Sequence, residues 1–108
     1  MATTQWKQGN TKKYVEVQTG SNIDVSIEFK NYLQAGEELY AVDFTTTSSD
    51  LTIINEVIRH DESLGFTRPH QIMCYVRPTA LGTHPVKALA RTNQGRTYVY
   101  HFDIYTKQ

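Results

Sequence analysis

The residues of this chain with the widest chemical reach are its four histidines, its single cysteine and one pair of adjacent acids. His60, His70, His84 and His101 are scattered, and no two of them stand at the short spacing of a zinc site, which needs three or four ligands. On an extended strand His101 and Asp103 share a face and could bring two ligands together, still short of that requirement. The plainer reading is a solvated face carrying polar side chains. Asp61 and Glu62 are neighbours, but a calcium loop draws several oxygens from set positions, and two adjacent carboxylates do not supply them. They read as solvated loop charges. Cys74 lies between Ile72 and Val76 on an apolar strand face. A nucleophilic cysteine needs a base and some exposure, so Cys74 reads as a buried structural residue. No Ser/His/Asp signature, phosphate-cradling glycine loop or nucleotide fingerprint is present. The expectation is a non-enzymatic chain with no catalytic residue, no metal and no cofactor.

The aromatic residues offer a second chemistry, a stacking platform for a carbohydrate. Tyr98, Tyr100 and Phe102 are in register along one strand face, but a sandwich must bury one face of each strand, and core is the reading preferred for them. Tyr75 and Tyr105, on the opposite faces of their strands, are better placed for an external contact. Trp6 has two readings. It can tuck back over an open edge of its own domain, or it can anchor the N-terminal segment on a neighbour, as tryptophan often does in interfaces.

These side chains are positioned by short extended segments. Ile23, Val25, Ile27 and Phe29 alternate with Asp24, Ser26 and Glu28, a period of two that puts the first set in the core and fixes the register. Lys12 to Gln18, Glu38 to Thr45 (with Tyr40, Val42 and Phe44 on one side), Ile72 to Val76, Val86 to Ala90 and Thr97 to Thr106 read the same way. Leu51 to Ile58 is two-sided: Leu51 and Ile53 alternate, while Leu51, Ile54 and Ile58 match helical spacing behind Asp50 as an N-cap. Its β-branched density favours a strand. Asn31 to Glu37 reads as a connection crossing between sheets. Thr92-Asn93-Gln94-Gly95-Arg96 reads as a hairpin in which Gly95 takes the left-handed conformation. Turn signals recur at intervals of roughly 8–12 residues, which predicts an all-β, immunoglobulin-like sandwich of about seven strands. Met1 to Thr11 is polar and aperiodic and reads as a flexible N-terminal arm, with the sandwich spanning residues 12–108. Arg59 to His70, charged and with Gly65 and Pro69, is the longest stretch without strand periodicity, the kind of loop that is often functional.

Composition agrees with this. The chain has 108 residues, the size of one domain, with seven Tyr and four Phe among many Val, Ile and Thr. Eleven basic and eleven acidic residues give a formal net charge of +0, without the basic excess of a nucleic-acid binder. Near-neutrality suits a protein that works in an assembly. One cysteine cannot form an intrachain disulfide, so the sandwich must stand on packing. The N-terminus shows neither the charged region nor the apolar region of a signal peptide. No apolar run reaches the ~18 residues of a membrane span. Neither nucleic acid nor membrane is expected as a partner.

From Asp24 to Thr106 the chain resembles small Ig-like proteins encoded among the head genes of tailed bacteriophages, of the phage fiber or head decoration type. The pattern consists of Tyr32-Leu33-Gln34-Ala35-Gly36-Glu37, Phe44, Leu51-Thr52-Ile53, Cys74-Tyr75-Val76, Gly82-Thr83, Thr92 to Thr97, Phe102 and Ile104. The resemblance implies a virion structural protein, a capsid decoration or cement subunit present in several copies or as a homo-oligomer, bound to the major capsid protein or other virion proteins. No catalytic residue comes with it. Met1 to Gln18 lies outside the pattern, and the Arg59 to His70 loop looks longer than it. The partner-binding residues expected are therefore Trp6 and Lys7 on the arm and Arg59, His60, Phe66 and Arg68 on the loop. The alternative is a host-facing module of a tail or fibre that binds a carbohydrate or receptor.

Overall fold

The alternation of residues 23–29 holds in three dimensions: Val25, Ile27 and Phe29 are buried while the residues between them are partly exposed. The computed structural model describes residues 4, 6–9, 12–29, 31–60 and 69–107. Among them are eight strands: β1 (Lys7–Gln8), β2 (Lys13–Gln18), β3 (Ile23–Glu28), β4 (Leu39–Thr46), β5 (Leu51–Arg59), β6 (Gln71–Pro78), β7 (Gly82–Thr92) and β8 (Thr97–Lys107). One sheet has the order β1-β2-β8-β7-β4 and the other β3-β6-β5. The pairings are antiparallel except that β2 runs parallel to β8, from Lys13 opposite Phe102 to Gln18 opposite Lys107. The protein is an all-β, immunoglobulin-like sandwich. The eighth strand is the two-residue β1, inside the segment expected as an arm.

The interior is made by the predicted faces. Val15, Val25, Ile72, Cys74, Val76, Val86, Ala88, Ala90, Phe102 and Ile104 meet between the sheets, and each full-sized apolar side chain so buried contributes about 1.5–3 kcal/mol. β6 is central in its sheet, and Met73, on its outer face, is buried as well.

Two strands depart from simple alternation, and each departure has a bulge as its cause. In β4 the register against β7 shifts between Leu39 and Ala41. Leu39 is buried, Tyr40 is 62 % exposed and Phe44 is buried again, so the expected common face of Tyr40, Val42 and Phe44 is corrected: Tyr40 points to solvent. In β5 the register against β6 shifts between Ile54 and Val57, around Asn55 at φ 56°. A bulge inserts one residue and changes the phase of the side chains, and asparagine tolerates the left-handed region better than most. That extra residue returns Ile58 to the inward face of Leu51 and Ile53 while Ile54 is exposed; the segment is a strand.

The described part of the arm is docked. β1 pairs with the outer edge of β2, the chain turns back at Gly9, whose N–H donates to the Lys12 carbonyl at 2.9 Å, and Ser26 N–H donates to Thr4 Oγ1 at 2.7 Å. Trp6 packs edge-on against Tyr100 and Phe102, with ring centroids 5.7 and 5.1 Å away. Of its two readings, the one that covers an open side of its own sandwich is realised here.

Candidate functional site

Of the residues with chemical reach, Asp61 and Glu62 lie outside the described residues, and the others do not come together. His84 is buried between Ala80 and Ser48. A carbonyl can only accept, so Nε2 donates to Ala80 O at 2.9 Å and Nδ1 accepts from the Ser48 hydroxyl at 2.7 Å. The pair ties the 47–50 turn to the start of β7. His70 is fully buried and its Nδ1–H donates to Glu28 Oε2 at 2.5 Å. Gln71 Nε2 donates to the other oxygen of Glu28 at 2.9 Å and Arg59 Nε donates to Gln71 Oε1 at 3.3 Å. His101 lies on the outer face, as expected, and His60 is exposed just beyond β5. Among the described residues no three His, Cys, Asp or Glu side chains group as metal ligands. Burial, and secondarily the charge of Glu56, pushes the Cys74 thiol up to about 12, so it stays protonated and is no nucleophile.

A different set of residues does converge. The 29–38 connection and the described residues His60, Pro69 and His70 lie at the same end of the sandwich as the 93–96 hairpin, while the short turns 19–22, 47–50 and 79–81 occupy the other end. At the first end the connections are cross-braced around Glu37, which is 2 % exposed. Glu37 Oε1 accepts from the Gln34 N–H at 2.9 Å, and Oε2 accepts from the Thr92 hydroxyl at 2.7 Å. The Arg96 guanidinium stands 3.6 Å from Oε1. The Gln34 main-chain hydrogen bond, then the Thr92 hydroxyl and the Arg96 charge, hold the carboxyl below its ordinary range against the opposing effect of burial.

Main-chain bonds extend the brace. Glu37 N–H donates to Gln34 O at 2.9 Å across a turn whose third residue, Gly36, has φ 81°, the left-handed geometry that favours glycine there. Asn93 receives the Glu38 N–H on its side chain and returns its own N–H to the Glu38 carbonyl, each at 3.0 Å. Asn93 Nδ2 reaches Gly36 O at 3.2 Å. Gly95, at φ 79°, closes the hairpin as predicted. The third connection joins through its ends: Leu39 N–H donates to Pro69 O at 3.0 Å, Phe29 N–H to His70 O at 2.9 Å and His70 N–H to Arg59 O at 3.0 Å. On one flank Tyr98 stacks on Phe29 at 5.6 Å, donates its hydroxyl to Tyr32 O at 3.0 Å and lies under Arg96 at 5.4 Å. What this end offers to a partner is a braced tip of Gln34, Ala35, Gly36, Asn93, Gln94 and Gly95, all exposed and none charged.

Among the described residues, those expected from the sequence to bind a partner lie in two places. Trp6 lies against the interior and Lys7 on β1 stands 3.8 Å from Glu16. Arg59 and His60 lie at the end of β5, at the braced end of the sandwich. Phe66 and Arg68 lie outside the described residues. The sequence placed Glu37 only at the end of the Tyr32 to Glu37 corner motif and gave it no bracing role. The available signal was local, an acid following the glycine of a tight turn, but its partners Thr92 and Arg96 are distant in sequence.

No protein-family model matches the chain, and no curated protein matches it. Solved structures do. The chain is similar to the cysteine protease inhibitor EhICP2 from Entamoeba histolytica, with a TM-score of 0.54 and 10 % identity over 87 % of this chain and 85 % of that one. It is similar also to Amebosin, with a TM-score of 0.52 and 10 % identity over 87 % of this chain and 88 % of that one. These likenesses overturn the expectation of a virion protein that decorates a capsid and binds capsid subunits, together with its tail or fibre alternative. The physical reason lies in the motifs that suggested it. Gly36 and Gly95 are required by positive φ, and Phe44, Cys74, Phe102 and Ile104 by the core, so they record a sandwich and carry no information about what it binds. At this identity the likeness to the solved structures is one of fold.

Proposed function

We propose that this chain is a non-enzymatic inhibitor of cysteine proteases, and that it binds its target with the braced end of the sandwich. The observation that carries the reading is the convergence of the 29–38 connection and the 93–96 hairpin around buried Glu37, at one end of a fold shared with a cysteine protease inhibitor. A tip already held by its own hydrogen bonds enters a cleft without the cost of ordering it, about 0.5–1.5 kcal/mol for each flexible side chain otherwise immobilised. Small uncharged side chains at Ala35, Gly36 and Gly95 let main chain approach main chain and leave no buried charge unpaired. Binding on this reading is reversible occlusion, because the Cys74 thiol is buried and protonated.

The test is titration of the purified chain into papain and a panel of other cysteine proteases, with a fluorogenic peptide substrate and a serine protease as control. Activity of at least one cysteine protease falls to a one-to-one end point, and the serine protease is unaffected. Ala35→Glu, on the exposed tip, raises the inhibition constant by about tenfold or more, a loss of ~1.4 kcal/mol, with an unchanged circular dichroism spectrum. Full activity of every cysteine protease at micromolar excess of the chain rejects the reading. So does inhibition to which the tip substitution is indifferent.

A further inference from the structure

Among the described residues, β8 has no partner over its first residues on one side. Its pairing with β7 runs from Thr97 to Thr106, but β2 reaches it only from Phe102 onward. The Thr92 N–H donates to Arg96 O, and from that closing pair the alternation of an antiparallel ladder directs the main-chain groups of Tyr98 and Tyr100 toward β7. Those of Thr97 and Val99 therefore face the side where a strand is missing. Beside this edge is a cleft of about 400 Å³, lined by Trp6, Lys13, Phe29, Tyr32, Tyr98 and Tyr100 among others. It opens between β8 and the edge strand β3, and its volume falls within the ~300–1,000 Å³ usual for binding sites.

None of the described residues pairs with this stretch of the edge, and the sequence gives a reason. Continued backward from Lys13, β2 would set Thr11 and Gly9 on the inward parity of Val15 and Val17, and neither carries an apolar side chain for an aromatic cleft. The chain instead turns at Gly9, where a side chain could not be tolerated (a Cβ would lie 2.7 Å from Lys12 O), and β1 pairs on the far edge of β2.

We infer that this edge is a second binding site, which takes an extended segment of another protein as an added strand. The segment pairs its main chain with Thr97 and Val99, in line with β2. Its alternate, apolar or aromatic side chains enter the cleft against Phe29, Tyr98 and Tyr100. An acidic residue at its other end meets Lys13, which is exposed. Unpaired strand edges recruit extended peptides through main-chain hydrogen bonds, with specificity from the pockets for alternate side chains. The site is on the flank of the sandwich, separate from the small uncharged tip, and does not depend on the inhibitory reading.

The probes are acetylated and amidated synthetic peptides in which Phe or Val alternates with Thr and a terminal Glu is placed at one end. Controls carry a central Pro or a terminal Lys in place of Glu, and 4-methylphenol serves as a small aromatic probe. Binding is followed on the full chain by amide chemical shifts and hydrogen exchange. The Glu peptide shifts the Thr97 and Val99 amides and slows exchange at Val99, and the Pro peptide binds at least about tenfold more weakly, since proline removes a ladder donor. Lys13→Glu weakens the Glu peptide and strengthens the Lys peptide, a reversal that misfolding cannot produce. The inference is overturned by equal binding of the Pro peptide, by shifts confined elsewhere, or by binding of 4-methylphenol alone. Self-association of the chain through Val99 without peptide binding also overturns it.

Discussion

Replacing Trp6 with alanine tests whether the N-terminal segment belongs to the folding unit. Trp6 makes two edge-on ring contacts, to Tyr100 at 5.7 Å and to Phe102 at 5.1 Å, each worth about 0.5–1.5 kcal/mol beyond the burial of the ring. Complete burial sets the upper bound, since truncating a fully buried aromatic costs about 3–5 kcal/mol. Trp6 is only partly buried, so Trp6→Ala should cost ~2–3 kcal/mol, near a 10 °C fall in Tm for a domain of this size. The assay is urea and thermal unfolding followed by far-ultraviolet circular dichroism. Trp6 is the sole tryptophan, so in the wild-type chain its fluorescence reports on the docked segment alone. Coincidence of the fluorescence and circular dichroism transitions is expected of one cooperative unit. A loss under about 0.5 kcal/mol, together with a fluorescence transition that precedes the loss of strand signal, would refute the reasoning and make the segment a tether on an independent sandwich.

Two further outcomes follow from buried groups. The carboxyl of Glu37 is held below its ordinary 4.5 in the folded chain; the stability it contributes is therefore present above that pH and lost as pH falls through the lower folded value. Urea midpoints taken from pH 7 down to pH 3 should drop more steeply for the wild type than for Glu37→Gln, and parallel curves would remove Glu37 from its bracing role. Cys74, its thiol raised to about 12 by burial, should be inert to a thiol reagent at neutral pH until urea unfolds the chain, and rapid labelling of the native protein would contradict its placement.

Much of the fold was legible because the core asks only for alternation. The inward sets of β3, β6, β7 and β8 were identified residue by residue from period two, and Gly95 from the need for a left-handed residue in a short hairpin. Failures occurred where the chain inserts a residue. At Tyr40 and at Asn55 a bulge shifts the phase, which reversed one assignment and put Ile58 out of step with the alternation of Leu51 and Ile53. No local pattern announces a bulge, because it is decided by pairing with β7 in one case and β6 in the other. The candidate site was legible only in pieces. Asn31 to Glu37 was recognised as a crossing connection and Thr92 to Arg96 as a hairpin, yet their union through Glu37, Thr92 and Asn93 is a contact between segments about 55 residues apart.

Function was harder to read than fold for a related reason. Enzymes and metal sites leave marks in sequence, since their chemistry needs particular side chains at particular spacings. A braced tip presents mainly main chain, and the residues that shape it, Ala35, Gly36, Gln94 and Gly95, have little chemistry of their own. Its binding properties reside in the curvature fixed by Gly36 and Gly95 and in the stiffness imparted by Glu37, which is itself hidden. Such a site tolerates wide change in sequence provided the turn geometries and the brace persist in some form, and the sandwich itself is shared with a solved structure at 10 % identity. The same logic predicts where substitutions separate binding from stability. Changes at the exposed Ala35 and Gln94 side chains alter what the tip fits and leave the core intact, whereas changes at Glu37 or Thr92 loosen the tip and weaken binding through disorder. A comparison of Ala35→Glu with Glu37→Gln in the same inhibition assay distinguishes the two effects, because only the second should also raise hydrogen exchange at the Gln34 amide.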